Sequence, residues 1–425
     1  MAELDRSSKI WRLFFGSGSV TLFNTLRAFV INKLLAVFLP PAAFACVGQF
    51  MNWMSIGQAT SSLAMQNGWV SLTAQNKDNL RNLYGIWRGG FRLTTFATVI
   101  TCALAAIFCF AAPLEKLLPG VHPRLAQAAI LFALPGMLAA NIVTICSAVM
   151  NGLGLVKRWA LIQIAASLFQ MLWVAFFLYT GRLSVLSIIA TQSIVAGIFA
   201  ARVASRAGFS LAKFRQSVLD TRGPWMSYAV MGLVPMIIAP LVLMFVRSLI
   251  GAELGWNAAG IWQGVYKISD FFASIFSAIL GVLILPRISR EMTREAFRKE
   301  FYPIFARMVG FTLLFCIALY FGRGLVVAIL LSGTYAPAAD YMPVQLLGDF
   351  FRSGAWCLGM VLIARRETKL FLVIEVGANL LFAGGTFVGI RLFEMHGPMF
   401  AYAFENFVTF VALAVSVRRL KWNTP

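Results

Sequence analysis

The chain has 425 residues, 60% of them hydrophobic and 12% charged, with a mean hydropathy of +0.80 and a formal net charge of +20. Soluble domains carry about 25% charged residues, so the composition excludes a soluble globular protein and leaves a polytopic α-helical membrane protein. The roughly ten-residue alternating segments of a membrane β-barrel are not seen, and the excess of base falls in alternate loops, so no nucleic-acid partner is expected.

In chain order, apolar runs predict twelve spans at 10–38, 42–66, 89–112, 124–153, 158–180, 183–205, 225–250, 258–285, 301–321, 338–363, 369–392 and 397–417. The charged start MAELDRSSKIWR leads straight into the first, which reads as a span and not as a cleavable signal. Pro40-Pro41 makes the first connection a tight turn. The stretch 322–337, short and marked by glycine and proline, reads as an outer loop with a short interfacial helix. Cys46, Cys102, Cys109, Cys146, Cys316 and Cys357 all fall in apolar segments with no CxxC pair, so neither a zinc site nor a disulfide framework is expected.

Lysine and arginine counts set the orientation. The termini and the loops after even-numbered spans hold 25 of them, the loops after odd-numbered spans 6, which places both termini in the cytoplasm. The most basic loops, 202–222 and 286–300, also suit anionic lipid head groups.

A shift of 214 residues lays VINKLLAVFLPPAAFACVGQF (30–50) on MFVRSLIGAELGWNAAGIWQG (244–264) without a gap, with Lys33 on Arg247 and Gln49 on Gln263. Each half then holds six spans and enters from the same side, a parallel repeat. The expected organisation is an N-terminal six-helix bundle over 1–206, a cytoplasmic linker over 207–224 and a C-terminal six-helix bundle over 225–425.

Polar residues inside the spans are the candidate site. Span 8 carries Gln263, Lys267 and Asp270 at i, i+4 and i+7, one helical face. Span 10 repeats the spacing with the charges exchanged, as Gln345, Asp349 and Arg352. A charge at membrane depth costs roughly 2.5–3.5 kcal/mol even on insertion scales, so it faces protein or a water-filled cavity. If the two faces meet, Lys267 can pair with Asp349 and Asp270 with Arg352. Two readings stand open: the four charges hold helices together, or at least one meets substrate or takes a proton. Span 1 adds Arg27 and Lys33, span 2 adds Gln49 and Asn52, and Glu375 and Glu405 lie in the last two spans. Asp270, Asp349 and Glu375 are candidates for ion coupling or charge pairing; Gln49, Asn52, Gln263 and Gln345 are candidate polar lining. Arg27, Lys33, Arg247, Lys267, Arg307 and Arg352 outnumber the four acids, and such an excess suits an anionic cargo, above all a phosphate. No HExxH, GxSxG, Walker loop or Asp-rich metal motif is found, so no enzyme, metal or cofactor is expected.

At GIWQGVYKISD (260–270), LPRISR (285–290) and QLLGDFFRSGAWCLGMVLIARRETKLFLVIEV (345–376), the chain resembles the bacterial flippases for lipid III and O-antigen, the lipid-linked oligosaccharide flippases. NKLLAVF near 32–38, Asn67-Gly68 and IARRETK at 363–369 are similar as well, so the resemblance runs end to end and is densest over 256–376. It implies the multidrug/oligosaccharidyl-lipid/polysaccharide exporter superfamily: an all-α polytopic membrane protein, twelve transmembrane helices in two six-helix bundles forming a V around a central cavity. The implied cargo is an oligosaccharide on undecaprenyl diphosphate, moved from the inner to the outer leaflet of the bacterial inner membrane by alternating access. The resemblance lands on Lys33, Arg247, Lys267, Asp270, Asp349 and Arg352 as cavity charges. Implied partners are the lipid-linked oligosaccharide, membrane lipids, and the polymerase and chain-length proteins of the same glycan pathway.

Arg27, Lys267 and Arg352 are then expected to hold the diphosphate. Its charge of about two, moved through ~100 mV at about 2.3 kcal/mol per charge, gives a driving force from membrane potential; protonation of a span carboxylate is the other source. The rivals are a multidrug exporter of the same superfamily, which suits a less basic cavity, and a glycan polymerase or ligase, which uses a larger outer loop than any here.

Overall fold

The computed structural model describes residues 2–111, 113–209, 223–283, 294–365 and 367–420, and every regular element among them is helical. In chain order these are α1 (Ala2–Phe38), α2 (Pro41–Ser62), α3 (Gln66–Asn76), α4 (Leu80–Ala111), α5 (Leu114–Leu117), α6 (Pro123–Gly152), α7 (Val156–Thr180), α8 (Val185–Thr191), α9 (Ile194–Ser205), α10 (Gly223–Glu253), α11 (Trp256–Leu283), α12 (Arg294–Phe321), α13 (Arg323–Leu330), α14 (Ala338–Ala364), α15 (Thr368–Phe393) and α16 (Gly397–Arg419). A helix or helix pair stands at each of the twelve predicted spans. The basic stretches 210–222 and 286–293, and with them most of the proposed linker and LPRISR, lie outside the described residues.

Nine stretches of the described residues are long and apolar enough to cross a membrane, one of them running over both α15 and α16. α2, which carries Gln49, Asn52 and Gln58, is not among them, and α11 carries Gln263, Lys267 and Asp270. These two helices are repeat equivalents. Adding 214 to the first residues of α2, α4, α6, α7 and α8 lands within two residues of the starts of α11, α12, α14, α15 and α16.

The chain forms two compact units, Met1–Ile31 with Gln49–Pro240, and Asn32–Gly48 with Leu241–Pro425. In the first, α6 packs on α3, α8 and α9. The approach is closest at Gly136, where an added Cβ would stand 1.7 Å from the Ala190 carbonyl oxygen; small residues permit such contacts between membrane helices. Trp69, Trp87 and Trp225 cluster beneath, all nearly fully buried. The Trp225 indole donates to the Ile86 carbonyl at 3.2 Å and the Trp87 indole to Thr73 Oγ1 at 3.0 Å, so both polar tips are paired.

In the second unit, α14 and α16 lie side by side with α11, α12 and α15 against them. The turn between α1 and α2 is built into this unit. Ser332 Oγ donates to the Ala36 carbonyl at 2.8 Å, Tyr335 Oη to the Leu39 carbonyl at 3.1 Å, and Phe44 meets the Tyr335 ring edge-on at 5.5 Å. Gly260 lies so close that a Cβ there would be 1.9 Å from the Pro41 carbonyl oxygen. The predicted interfacial segment resolves into α13 and a short 3-10 turn, Gly333–Tyr335.

Candidate substrate-binding site

In the second unit the polar residues of α11, α14 and α16 form one network. Asp349 is 2% exposed. Its Oδ2 accepts from Ser269 Oγ at 2.8 Å and its Oδ1 from Tyr402 Oη at 2.8 Å. Tyr402 in turn accepts from Nη1 of Arg352 at 3.2 Å. The order is therefore guanidinium to phenol to carboxylate, with the phenol between the two charges. The Tyr402 ring is seated on Gly348, where a Cβ would stand 2.4 Å from its Cδ1. Thus Gly348 gives the ring its room and Asp349 holds its hydroxyl. Arg352 also stacks over Trp356, its Cζ 4.5 Å from the ring centroid.

The cross-helix ion pairs allowed by the sequence are not the ones formed. Lys267 pairs with Asp270 on its own helix at 3.5 Å, at side-chain exposures of 22% and 45%. Ser269, rather than Lys267, is the residue of α11 that meets Asp349, because the Gln263–Lys267–Asp270 stripe runs out from the buried face. An exposed helix pair of this kind contributes only about 0.3–0.5 kcal/mol. Arg352 is left with no carboxylate within ion-pair distance among the described residues. Asp270, Asp349, Glu375 and Glu405 all act on it electrostatically from further off. A guanidinium has five donors, and the Tyr402 bond uses one. Glu405 accepts from Asn406 Nδ2 at 2.7 Å and from Thr409 Oγ1 at 3.1 Å.

The other predicted residues separate into two groups. Arg247 is 1% exposed, with Nε and Nη2 on Gln263 Oε1 at 3.1 and 2.6 Å and its Cζ 5.6 Å from the Trp262 ring centroid. Lys33 donates to the Ala328 carbonyl at 2.8 Å and to the Leu331 carbonyl, closing the C-terminal end of α13. Both cations thus have protein acceptors. In contrast, buried polar atoms without a hydrogen-bond partner include Arg27 Nε, Asn52 Nδ2 and Gln345 Nε2. Gln49 is buried at 2% exposure. Glu375 is half-buried on α15.

The first unit holds a second network around Arg27. Arg27 Nη1 donates to Gln170 Oε1, Gln170 Nε2 donates to Ser193 Oγ at 3.1 Å, and Ser167 Oγ donates to Asn24 Oδ1 at 2.8 Å. Ser193 lies where the predicted sixth span breaks into α8 and α9. The sequence singled out Arg27, but not this break. It also missed Tyr402, Ser269 and Trp356. The signal for Tyr402 was the small residue before Asp349, legible only once α14 and α16 are known to touch.

No family model matches the sequence. The chain is 26% identical over 376 residues to lipid III flippases of Escherichia coli (strain K12) and Shigella flexneri, over 84% of this chain and 85% of each relative. Among solved structures, an inward-facing multidrug resistance MATE family transporter of the MOP superfamily matches with a TM-score of 0.74, 12% identity and 94% of both chains. An outward-facing one matches at 0.67, with 13% identity over 96% and 94%. A MOP superfamily transporter from Pyrococcus furiosus, described as having a binding pocket of reverse polarity, matches at 0.64, with 12% identity over 96% and 94%. The resemblance read from the sequence is borne out, and the chain is an all-α, multi-pass membrane protein with the fold of these transporters.

Proposed function

We propose that this protein is a flippase that carries an oligosaccharide linked to undecaprenyl diphosphate from the inner to the outer leaflet of the bacterial inner membrane by alternating access, with both termini cytoplasmic. The cargo is lipid III of enterobacterial common antigen or an O-antigen unit. Support comes from the named relatives and from one observation above all, a membrane-depth arginine held in place while most of its donors stay open. Tyr402 and Trp356 fix the Arg352 guanidinium without neutralising it, and a fixed guanidinium binds phosphate oxygens through charge-assisted, often bidentate hydrogen bonds. Lys267, weakly held by Asp270, is a second donor for the diphosphate. Arg27 is the corresponding cation of the first unit; Lys33 and Arg247 serve packing.

The four carboxylates acting on Arg352 supply the coupling. When they are ionised the neighbourhood repels a diphosphate; protonation of Glu375 or Glu405 lowers that repulsion. Binding is thereby coupled to pH, while the pull of membrane potential on the anionic cargo drives it outward.

The same carboxylates favour a second reading, a multidrug exporter for cations. Purified protein in liposomes distinguishes the two. Wild type that exposes an inner-leaflet undecaprenyl-diphosphate glycan to an external glycosidase, and leaves a cationic dye in place, supports the flippase; dye movement without glycolipid movement overturns it.

A further inference from the structure

α2 ends where nothing local stops it. Residues 58–67, QATSSLAMQN, hold neither glycine nor proline, yet Leu63 and Ala64 stand one after the other at φ 52° and 49°. Positive φ crowds a side chain against its own backbone, so a non-glycine residue keeps it only where the surrounding structure holds it there. The hydrogen bonds are those of a helix C-cap. Ala64 N–H donates to the Ala59 carbonyl at 2.9 Å and Leu63 N–H to the Thr60 carbonyl at 3.2 Å, with leucine in the place that glycine usually takes. α3 then starts at Gln66.

The other half of the repeat shows the alternative. The offset of 214 carries Leu63 and Ala64 onto Ser277 and Ala278, and α11 runs through both without a break to Leu283.

The bend is held from outside α2, first of all by α10. Gly232 lies so close that a Cβ there would stand 2.7 Å from the Ala64 carbonyl oxygen and 2.8 Å from the Ala64 Cβ. Tyr228 Oη donates to Ser71 Oγ at 2.9 Å, the Tyr228 ring lies against Gly68, and the rings of Trp225 and Trp69 are 4.6 Å apart. α10 thus follows α3 up to the corner. From α4, Thr98 Oγ1 donates to the Ser61 carbonyl at 3.1 Å, an acceptor that a continuous helix would give to the Met65 N–H. From α6, Asn141 Nδ2 donates to Ser61 Oγ at 2.8 Å. Asn141 Oδ1, and Thr94 Oγ1 one turn before Thr98, are buried with no hydrogen-bond partner, so the polar groups around the bend are incompletely matched.

We propose that Leu63–Ala64 is a two-state joint. It is bent while the first half of α10 is seated on it, and straight, with α2 and α3 joined into one helix in the manner of α11, when α10 lifts away. α10 belongs to the first unit only as far as Pro240 and to the second beyond it, so the joint couples movement of that helix to the course of α2 and α3. The inference stands whatever the cargo.

The test is a spin-label distance measurement on the full-length protein in nanodiscs, with bio-orthogonal labels at the exposed positions 55 and 74. Nineteen helical residues span ~29 Å, so the straight form gives a distance near that value and the bent form a shorter one. Tyr228→Phe removes the bond to Ser71 and is expected to raise the ratio of long to short distances about fivefold, the contribution of one neutral hydrogen bond. Gly232→Ala, which crowds Ala64, should raise it further. Ala64→Gly relieves the positive φ and weakens a continuous helix, so in the Tyr228→Phe background it should lower the ratio more than ~tenfold. A single short distance in wild type, Tyr228→Phe and Gly232→Ala alike would overturn the joint, as would a ratio that Ala64→Gly leaves unchanged. Tyr228→Phe disturbs no close packing, so the test does not depend on the Gly232 variant folding.

Discussion

Tyr402→Phe isolates what the guanidinium–phenol–carboxylate chain does. The change deletes one oxygen and leaves the ring on Gly348. It removes the 3.2 Å bond from Arg352 and the 2.8 Å bond to Asp349, and buried Asp349 keeps only Ser269 as donor. A hydrogen bond to a charged group contributes about 1.5–3 kcal/mol, so stability should fall by roughly that amount. The larger consequence is for Arg352. It lies three residues from Asp349 on α14, within reach of a direct ion pair once the phenol no longer intervenes. That pairing would take up the donors proposed for the diphosphate. Affinity for an undecaprenyl-diphosphate glycan should fall about tenfold, equivalent to ~1.4 kcal/mol, measured by fluorescence anisotropy in nanodiscs beside a thermal melt. Adding Asp349→Asn removes the competing carboxylate, so in that background Tyr402→Phe should have a much smaller effect on binding, a coupling within the usual 0.5–3 kcal/mol. Unchanged affinity in Tyr402→Phe, or full additivity in the cycle, refutes the positioning role.

Four further outcomes are expected. Glu375→Gln and Glu405→Gln should tighten glycolipid binding at neutral pH and flatten its rise as pH falls; a profile that keeps its wild-type slope in both variants would remove the acids from coupling. Lys33→Met should lower the thermal midpoint, through the loss of ~1–2 kcal/mol at the α13 carbonyls, while glycolipid affinity per folded molecule stays the same. Gly260→Ala, with its Cβ 1.9 Å from the Pro41 oxygen, should cost about 1–3 kcal/mol or more of overpacking and show as poor folded yield. Gly310→Ala, which meets nothing within 4 Å, should be tolerated.

Much of this protein is written in local apolarity and spacing. The twelve spans and the 214-residue repeat follow from runs and offsets in the sequence, and helix starts recur at that offset to within two residues across most of the chain. The candidate charges were also legible, because an ion at membrane depth stands out. Their partners were not. Asp349 and Lys267 share a pattern but sit at different depths in the packing, and a helical stripe does not reveal where a helix turns from a buried face to an open one. Tyr402 looked like one more aromatic in an apolar run. The break between α8 and α9 carries no proline or glycine; Gln192 and Ser193 occupy it, and Gln170 bonds to Ser193 from α7. Gly57 meets Met137 across 80 residues of sequence, a pairing that only the tertiary structure discloses.

The central claim is that Arg352 meets the anionic head of the cargo, and the most direct measurement is the rate of glycolipid flipping by purified protein in liposomes for wild type, Arg352→Lys and Arg352→Ala. The account predicts active wild type, a partial loss in Arg352→Lys, which keeps the charge without the fork, and a fall of more than ~tenfold in Arg352→Ala per folded molecule, since that change also removes the Tyr402 bond and the Trp356 stack. Wild-type flipping rates in Arg352→Ala would contradict it.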